Sequence, residues 1–180
     1  GVPHVLLSAL VSCMALSHGQ SDLLVGLPVH NRRGEAQKKA ISVFTSVSPM
    51  RLSVASGQRF SEIARHIAER QKANFRHQRY PIGDMIRDLG RSGGQQKLYD
   101  IGFSYLNFED DVAFENNPAK LVYVSHNHES TPLLVTAWEC GASTEIKLDC
   151  NRSYFCESDA RLLGNRLLHL LNLVTLDPDR

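Results

Sequence analysis

The side chains that could do acid–base or metal chemistry are scattered along this chain of 180 residues. His126 and His128 would lie on one face of an extended segment, where two imidazoles could bind a metal ion. The sequence places no third or fourth ligand beside them, so we expect surface histidines and no metal site. Ser125, His126 and Asp149 could form a nucleophilic triad, but no G-x-S-x-G motif positions a serine for attack. We interpret this trio as a chance assembly.

Arg32 is the charged side chain best suited to hold another group in place, and it closes the string Gly26-Leu-Pro-Val-His-Asn-Arg32. A planar guanidinium can bind both oxygens of a carboxylate through two parallel hydrogen bonds. Taken alone, the string favours a solvated loop arginine, like Arg33 beside it.

A second string runs from Ile41 to Arg51 and reads ISVFTSVSPMR. Its β-rich composition predicts a strand, one face of which would carry Val43, Thr45 and Val47. Pro49 interrupts this strand, and a proline there suits an edge of a sheet or the end of a strand.

A third string, His77-Gln-Arg-Tyr-Pro81, lies at the end of a predicted helix. A single histidine near a helix end is more often a cap or a surface residue than a catalyst, and it can interact favourably with the carbonyl end of the helix. Pro81 ends that helix and begins a shorter one, at a position where proline is tolerated. We therefore interpret His77 as structural and not as a general base.

The composition is that of an ordinary globular domain, with 42% hydrophobic and 22% charged residues. A net charge of +1, with both signs mixed along the chain, gives no electrostatic reason to expect nucleic acid or an anionic membrane as a partner. The apolar run at residues 5–16 is too short to span a bilayer and has no basic segment before it. These features predict one domain, with no membrane association.

The four cysteines, which include no CxxC pair, could form two disulfides in a secreted chain. A chain of this size does not need disulfides to stabilise a core, so we expect reduced thiols and a cytoplasmic protein. The glycosylation sequon at residues 151–153 would matter only in a secreted chain.

Hydrophobic periodicity divides the chain into helices and strands in mixed order. Helices are predicted at residues 2–14, 60–75 and 82–89, and after a cap at Ser158. Strands are predicted at 23–29, 41–54, 98–108, 121–124, 133–138 and 144–150, and loops at 31–39, 90–96 and 109–119. Because the elements do not alternate strictly, we expect an α/β two-layer sandwich, a mixed β-sheet with helices mainly on one face.

In this order and at this spacing, the three strings resemble the second half of a condensation domain from a nonribosomal peptide synthetase. The first matches the family pattern G-x-P-V-x-x-R. The second matches (I/V)-G-x-F-V-N-T-x-x-x-R at Ile41, Phe44 and Arg51, and the third matches H-Q-D-Y-P-F-E at His77, Gln78, Tyr80 and Pro81. The resemblance covers residues 5–174 and implies a fold similar to chloramphenicol acetyltransferase, in which two α/β halves form a V.

The resemblance implies a role for each matched position. Arg32 would brace the active site by pairing with the aspartate of the family's histidine motif. Ser42 and Ser46 replace the family's glycine and asparagine, and together with Phe44 they would line the substrate channel. Ser104 lies on a strand that resembles the family's channel-lining strand and would face a substrate. A structural role is implied for His77, Gln78, Tyr80 and Pro81.

The family's proton-handling motif, HHxxxDG, lies upstream of these strings, and this sequence does not contain it. We therefore expect residues 1–180 to be the C-terminal subdomain of a condensation domain, with no catalytic residue of its own and no activity alone. An intact domain of this kind joins an acceptor amine to a donor thioester, both carried on phosphopantetheine. This half would supply a tunnel wall and a carrier-docking surface, and it would bind no cofactor directly.

The implied partners are the N-terminal half of the condensation domain, peptidyl carrier proteins and an adjacent adenylation domain. The loop at 31–40 would belong to the floor between the halves, and the region at 109–144 would contain the latch. An isolated half would expose an apolar seam and self-associate. Two alternatives stay open: a non-catalytic module that binds carrier proteins or a subunit, and a fragment of a coenzyme A-dependent acyltransferase.

Overall fold

The structure is a computed structural model that describes residues 1–90, 97–107, 113–114, 117–118, 128–177 and 179. Helices and strands follow one another along these ranges in mixed order. The elements are α1 (Val2–His18), β1 (Asp22–Val29), α2 (Gly34–Lys39), β2 (Ser46–Ser53), α3 (Phe60–Phe75), α4 (Ile82–Asp88), β3 (Ile101–Leu106), β4 (Ala113–Phe114), β5 (Asn117–Pro118), β6 (Leu133–Cys140), β7 (Ser143–Cys150) and α5 (Glu157–Leu176).

Five strands form one mixed sheet in the order β2-β1-β3-β6-β7. The central pairs β1–β3 and β3–β6 are parallel, and the outer pairs β1–β2 and β6–β7 are antiparallel. β2 is an edge strand, which confirms the position predicted for Pro49, because an edge strand tolerates a residue that cannot donate a backbone hydrogen bond. The short strands β4 and β5 pair only with each other within the described residues.

The core lies between one face of the sheet and the helices α1, α3 and α5. Alternate residues of the strands in the five-stranded sheet point into it, as expected for a sheet with one covered face. The members with the least exposure include Leu7, Leu10, Val25, Leu52 and Val135, each at most 2% exposed. The arrangement confirms the predicted α/β fold, a mixed sheet with helices mainly on one face.

Several predicted boundaries were wrong. The 31–39 loop contains the short helix α2, and the second strand begins at Ser46 instead of residue 41. Val43 and Thr45 therefore lie before the strand and do not share a strand face with Val47. The last helix begins at Glu157, so Ser158 is inside it, and Cys156 is the cap residue. The backbone N–H of Cys156 donates to the Asp159 carboxylate at 3.1 Å. A side chain of the first turn thus provides the acceptor for the N–H of the cap residue.

Other predicted features fall outside the described residues. These are the strand at 121–124, nearly all of the 90–96 loop, and most of the 109–119 excursion. The third predicted strand begins at Ile101 instead of residue 98. All four cysteines are free thiols, Cys13 buried and Cys150 half-buried. In the part of the chain that the structure describes, no helix is long and apolar enough to cross a membrane.

Candidate functional site

The sheet is weakly joined between its two central strands, β1 and β3. They pair only at Val25–Ile101 and Gly26–Gly102, although each strand continues for three or more residues beyond Gly26 and Gly102. Beyond these pairs the carboxyl-terminal parts of the two parallel strands are not paired with each other, which leaves an opening in the ladder at one edge of the sheet. Such an opening is where α/β proteins commonly bind ligands. The predicted channel residue Ser104 lies on β3 just past the last pair, half-buried and beside Thr136 of β6.

The face of the sheet opposite the core helices carries small residues where the two strands meet. A Cβ atom on Gly26 would lie 2.5–2.7 Å from ring atoms of Tyr99, and one on Gly102 would lie 2.8 Å from a methyl carbon of Leu134. The first contact explains the glycine of the first string, because the Tyr99 ring occupies the space that a side chain would need. Burial, with a smaller effect of the nearby Glu129 carboxylate, raises the pKa of Tyr99.

Arg32 organises the segment that follows β1. Its Nη1 donates to the carbonyl oxygens of Gln37 and Ala40, the latter at 2.7 Å, and its Nη2 donates to the carbonyl oxygen of Ser42 at 2.6 Å. The guanidinium also stacks over the ring of Phe44, with 4.6 Å from its central carbon to the ring centroid. Three of the five N–H donors of an arginine are used in this way, so two remain for a further acceptor.

The structure therefore brings together three of the predicted site residues, Arg32, Ser42 and Phe44. Ser42 takes part through its backbone carbonyl, and its side chain is exposed. Ser46 stands at the start of β2, opposite Val29 at the end of β1. It is adjacent to this cluster in the chain but has no contact with Arg32 among the interactions of the described residues.

Two large apolar side chains in the same segment face outward. Ile41 is 106% exposed and Val43 is 89% exposed, so neither is covered by the described chain. They flank Ser42, whose carbonyl Arg32 holds in place. Fully exposed β-branched residues on a fixed loop are typical of a contact surface for another chain segment.

Asn31, directly before Arg32, carries two signs of an incomplete site. Among the residues that the structure describes, Asn31 is the non-glycine residue with a positive φ, which is 52°. This conformation costs free energy for most side chains. Its side-chain Oδ1 is buried and has no hydrogen-bond partner among the described residues. A strained residue with an unsatisfied acceptor points to a donor that the described chain does not supply.

Arg51, the last residue of the second string, pairs with Asp22 across the far end of the β1–β2 ladder. The Arg51 Nε contacts both carboxylate oxygens of Asp22 at 2.9 and 3.0 Å, and Nη2 contacts one of them at 2.6 Å. These hydrogen bonds, and the attraction of the opposite charge, lower the pKa of Asp22. Both residues lie at the solvent surface. Arg51 thus holds the strand ends together, away from the opening between β1 and β3.

The third string forms the turn between α3 and α4. The backbone N–H of Tyr80 donates to the carbonyl of His77 at 2.9 Å, and the Tyr80 hydroxyl donates to the Asp88 carboxylate on α4. Pro81 precedes the first residue of α4 and caps it, and the backbone N–H of Gln78 donates to the carbonyl of Phe75 at 3.4 Å. His77 lines a cleft of about 470 Å³ beside the edge strand β2.

The histidine constellations cannot be assembled from the described part of the chain. Ser125 and His126 lie outside the described residues. Asp149 forms an ion pair with Lys147 on the same strand, with 2.7 Å between the Lys147 Nζ and the Asp149 Oδ1. Among the residues that the structure describes, no three His, Cys, Asp or Glu side chains are grouped to hold a metal ion.

Sequence reasoning missed Asn31, Tyr99 and Asp22. Asn31 lies inside the first string, and asparagine is one of the few non-glycine residues that adopt a positive φ, so a signal was present. Nothing in the sequence pairs Tyr99 with Gly26 or Asp22 with Arg51, because both contacts depend on the strand order.

The chain matches a known protein family over nearly its whole length. The model of the family described as "Condensation domain" matches residues 2–180. This chain belongs to the condensation-domain family. The sheet opening, the Arg32 cluster and the turn at 77–81 are therefore features of a condensation-domain chain.

Curated relatives match this condensation-domain chain over nearly all of its length. It is 29% identical over 181 residues to the isonitrile lipopeptide synthase of Streptomyces coeruleorubidus, and the match covers 98% of the chain and 12% of that protein. It is 27% identical to the dimodular nonribosomal peptide synthase of Bacillus subtilis (strain 168), over 89% of the chain and 7% of that protein. It thus spans only a small part of these relatives.

Solved condensation domains share the fold. The starter condensation domain of rhizomide synthetase aligns with a TM-score of 0.79 and 21% identity, covering 99% of this chain and 43% of that one. A doubly substituted form of that domain in complex with C8-CoA and Leu-SNAC aligns with a TM-score of 0.86 and 22% identity, covering 99% and 41%. The condensation domain of monacolin K polyketide synthase MokA gives 0.84 and 16%, covering 98% and 42%. The chain spans about two fifths of each.

Proposed function

We propose that this chain is the second half of a condensation domain that forms an amide bond between two carrier-bound thioester substrates. The observation that carries the proposal is the coverage. The family model matches residues 2–180, yet the chain spans only 41–43% of the rhizomide condensation-domain structures. The sequence also lacks HHxxxDG, the family's proton-handling motif. A preceding half would supply that motif.

The proposed reaction joins the acceptor amine to the donor acyl carbon. The C–N bond forms, the C–S bond of the donor thioester breaks, the pantetheine thiol leaves, and the amine gives up a proton. The second histidine of the preceding half would take this proton or position the amine. This chain would contribute alignment, because a tunnel wall that fixes both substrates lowers the entropy cost of reaction. Phosphopantetheine of the carrier proteins would hold the substrates, and this chain would bind no cofactor directly.

We assign the wall to the opening between β1 and β3. Ser104 lies just past the last pair of the two strands, and Ser42 and Phe44 lie on the segment that leaves β1. We propose these residues, with Ser46, as lining of the substrate channel. Arg32 would act as a positioning residue. Its three carbonyl bonds hold the segment, and its remaining donors are available to a carboxylate of the preceding half.

We propose that the preceding half covers Ile41 and Val43. Both are highly exposed β-branched residues beside the Arg32 cluster, and Asn31, directly before Arg32 in the chain, offers a buried acceptor. A partner surface that supplies apolar contacts and one N–H or O–H donor would satisfy all three. The residues His77, Gln78, Tyr80 and Pro81 are assigned a structural role in the α3–α4 turn. A cytoplasmic setting beside an adenylation domain remains a prediction.

The test is reconstitution. The chain alone is mixed with two loaded carrier proteins, and peptide product is measured; we expect none. The same assay is repeated with a separately expressed preceding half that contains HHxxxDG, and with the two halves joined in one polypeptide. Product in these two mixtures, lost when the second histidine of the added half is replaced by alanine, supports the proposal. Turnover by the chain alone contradicts it.

The same assay separates the alternatives. A doubly substituted form of the rhizomide starter domain was solved in complex with C8-CoA, so one arm supplies the donor as a coenzyme A thioester. Product only in that arm indicates a coenzyme A-dependent acyltransferase. Carrier binding with no product in any arm indicates a non-catalytic binding module. The gene sequence upstream of Gly1 gives an independent check, since an HHxxxDG about 100–150 residues earlier is expected for a two-half domain of ordinary size.

A further inference from the structure

A cleft of about 420 Å³ lies in the helix layer, on the opposite side of the sheet from Gly26, Gly102 and Ser104. Three helices and the loop after β2 form its walls. Aliphatic and aromatic side chains make most of its surface, among them Leu16, Phe60, Ile63, Leu170 and Val174. The volume is within the range of roughly 300–1,000 Å³ that small-molecule sites in proteins occupy. No part of the proposed condensation chemistry uses this cleft.

Ser12 gives the cleft a polar group that the fold itself does not use. The residue lies on α1, lines the cleft and is 6% exposed. Its Oγ has no hydrogen-bond partner among the described residues. Ser8, one turn earlier on the same helix, shows the usual solution, because its Oγ donates to the carbonyl of His4 at 2.6 Å. A buried hydroxyl without a partner costs free energy, so a ligand that bonds to it gains affinity.

The charge of the lining limits the ligand further. Every described residue that lines the cleft is uncharged, and none is a histidine. An ionised ligand would therefore lose its hydration without an opposite charge nearby, which is strongly unfavourable. At the mouth, Leu16 is 80% exposed and extends the apolar surface outward. The site favours a neutral molecule with an aliphatic body.

We propose that the cleft between α1, α3 and α5 binds a small neutral aliphatic ligand that carries one hydrogen-bonding oxygen, with Ser12 as its polar contact. In the structure the Ser12 Oγ is itself buried, so the hydroxyl would have to turn toward the ligand by rotation about χ1, and it has no hydrogen bond among the described residues to break first. This proposal is independent of the proposed condensation function.

The experiment titrates the 180-residue chain with octanol, octanoate and octylammonium and follows the methyl resonances of Leu16, Val54, Leu170 and Val174 by NMR. We expect saturable shifts with octanol, confined to residues that line the cleft. Octanoate and octylammonium should bind at least about tenfold more weakly, because their charges are unpaired in the cleft. Absence of saturable shifts, shifts elsewhere, or equal affinity for all three probes overturns the proposal.

Two variants test the role of Ser12, with a third as a control. Ser12→Ala should weaken octanol binding about three- to tenfold, the range of one hydrogen bond. Ala15→Phe, which fills the cleft, should abolish it. Ser8→Ala removes a buried hydroxyl of the same helix that does not line the cleft, so the affinity should stay unchanged. Wild-type affinity in Ser12→Ala, or equal losses in Ser12→Ala and Ser8→Ala, contradicts the assignment of Ser12.

Discussion

Apolar side chains are buried on the helix-covered face of the sheet and exposed in the segment at residues 30–45. On the covered face, Leu10 is 1% exposed and Val25 is fully buried, since strands and helices of the same chain enclose them. In the 30–45 segment, Ile41 and Val43 face outward at 106% and 89% exposure. Yet this segment is not loose, because Arg32 fixes it through three carbonyls.

The difference separates a core that the described residues cover from a segment whose apolar side chains they leave exposed. A core that closes within 180 residues supports independent folding. A segment that is fixed in shape but uncovered, beside a strained Asn31 with an unsatisfied acceptor, is suited to bind a second surface. Substitutions on the two sides should therefore act on different measurements.

The largest effect is expected in the core. Leu10→Ala should lower the free energy of unfolding by about 2–5 kcal/mol, because it leaves a cavity in the layer between α1 and the sheet. Urea denaturation followed by circular dichroism measures this. A loss under about 1 kcal/mol would show that the helix side is loosely packed and would remove the contrast between the two regions.

The next effect lies where the two central strands meet. Gly26→Ala should cost about 1–3 kcal/mol, since the new methyl group would overlap the Tyr99 ring. The double variant Gly26→Ala/Tyr99→Ala serves as the control. It should be destabilised by less than the sum of the two single variants, because removing the ring removes the overlap. Additive losses in this cycle would show that the ring does not restrict residue 26.

The exposed pair in the 30–45 segment should change association and leave stability unchanged. Ile41→Ser/Val43→Ser should alter the free energy of unfolding by no more than about 0.5 kcal/mol. It should weaken self-association in sedimentation velocity, and it should weaken binding of the preceding half. The control is Leu162→Ser/Leu168→Ser, a pair of surface apolar residues on α5 that are about half exposed (49% and 55%). Equal effects of the two double variants on association would show that the 30–45 segment is not a specific contact surface.

The smallest effect is expected at the surface pair Arg51–Asp22. The Arg51 hydrogen bonds hold the folded-state pKa of Asp22 below its ordinary value of about 4. The pair therefore stabilises the fold above the ordinary pKa, and this contribution is lost as the pH falls through the lowered folded-state pKa. In Arg51→Gln, the Asp22 pKa measured by carboxyl NMR should rise toward its ordinary value. An unchanged pKa would mean that the pair does not persist in solution.

The sequence predicted the covered side of the fold well and the 30–45 segment poorly, for a physical reason. Residues 23–29 form a short apolar run typical of a buried strand, and Leu23, Val25 and Leu27 enter the core. Ile41 and Val43 alternate as well, but both lie before β2 and are exposed, so the same alternation does not mark a strand there. Ser158 was chosen as a cap by residue type, whereas the Asp159 carboxylate satisfies the N–H of Cys156.

The candidate site was predicted only in part. The matched strings found Arg32 and Phe44, and the structure places them in contact. They gave no indication that Arg32 binds the carbonyls of Gln37, Ala40 and Ser42. Every residue type carries the same backbone carbonyl, so a main-chain acceptor cannot be recognised from residue types. Contacts such as Tyr99 over Gly26 depend on strand order and remain invisible until the sheet is assembled.

The short pairing between β1 and β3 also has a mechanical consequence. Eight residue pairs join β1 to β2, eight join β6 to β7 and six join β3 to β6, but two join β1 to β3. The sheet thus consists of a two-stranded ribbon and a three-stranded ribbon linked by a narrow hinge. Under load, or during thermal fluctuation, the ribbons should part at this line first. Pairing between β1 and β3 ends two residues before Ser104, so small rotations about the hinge would move Ser104 relative to β1.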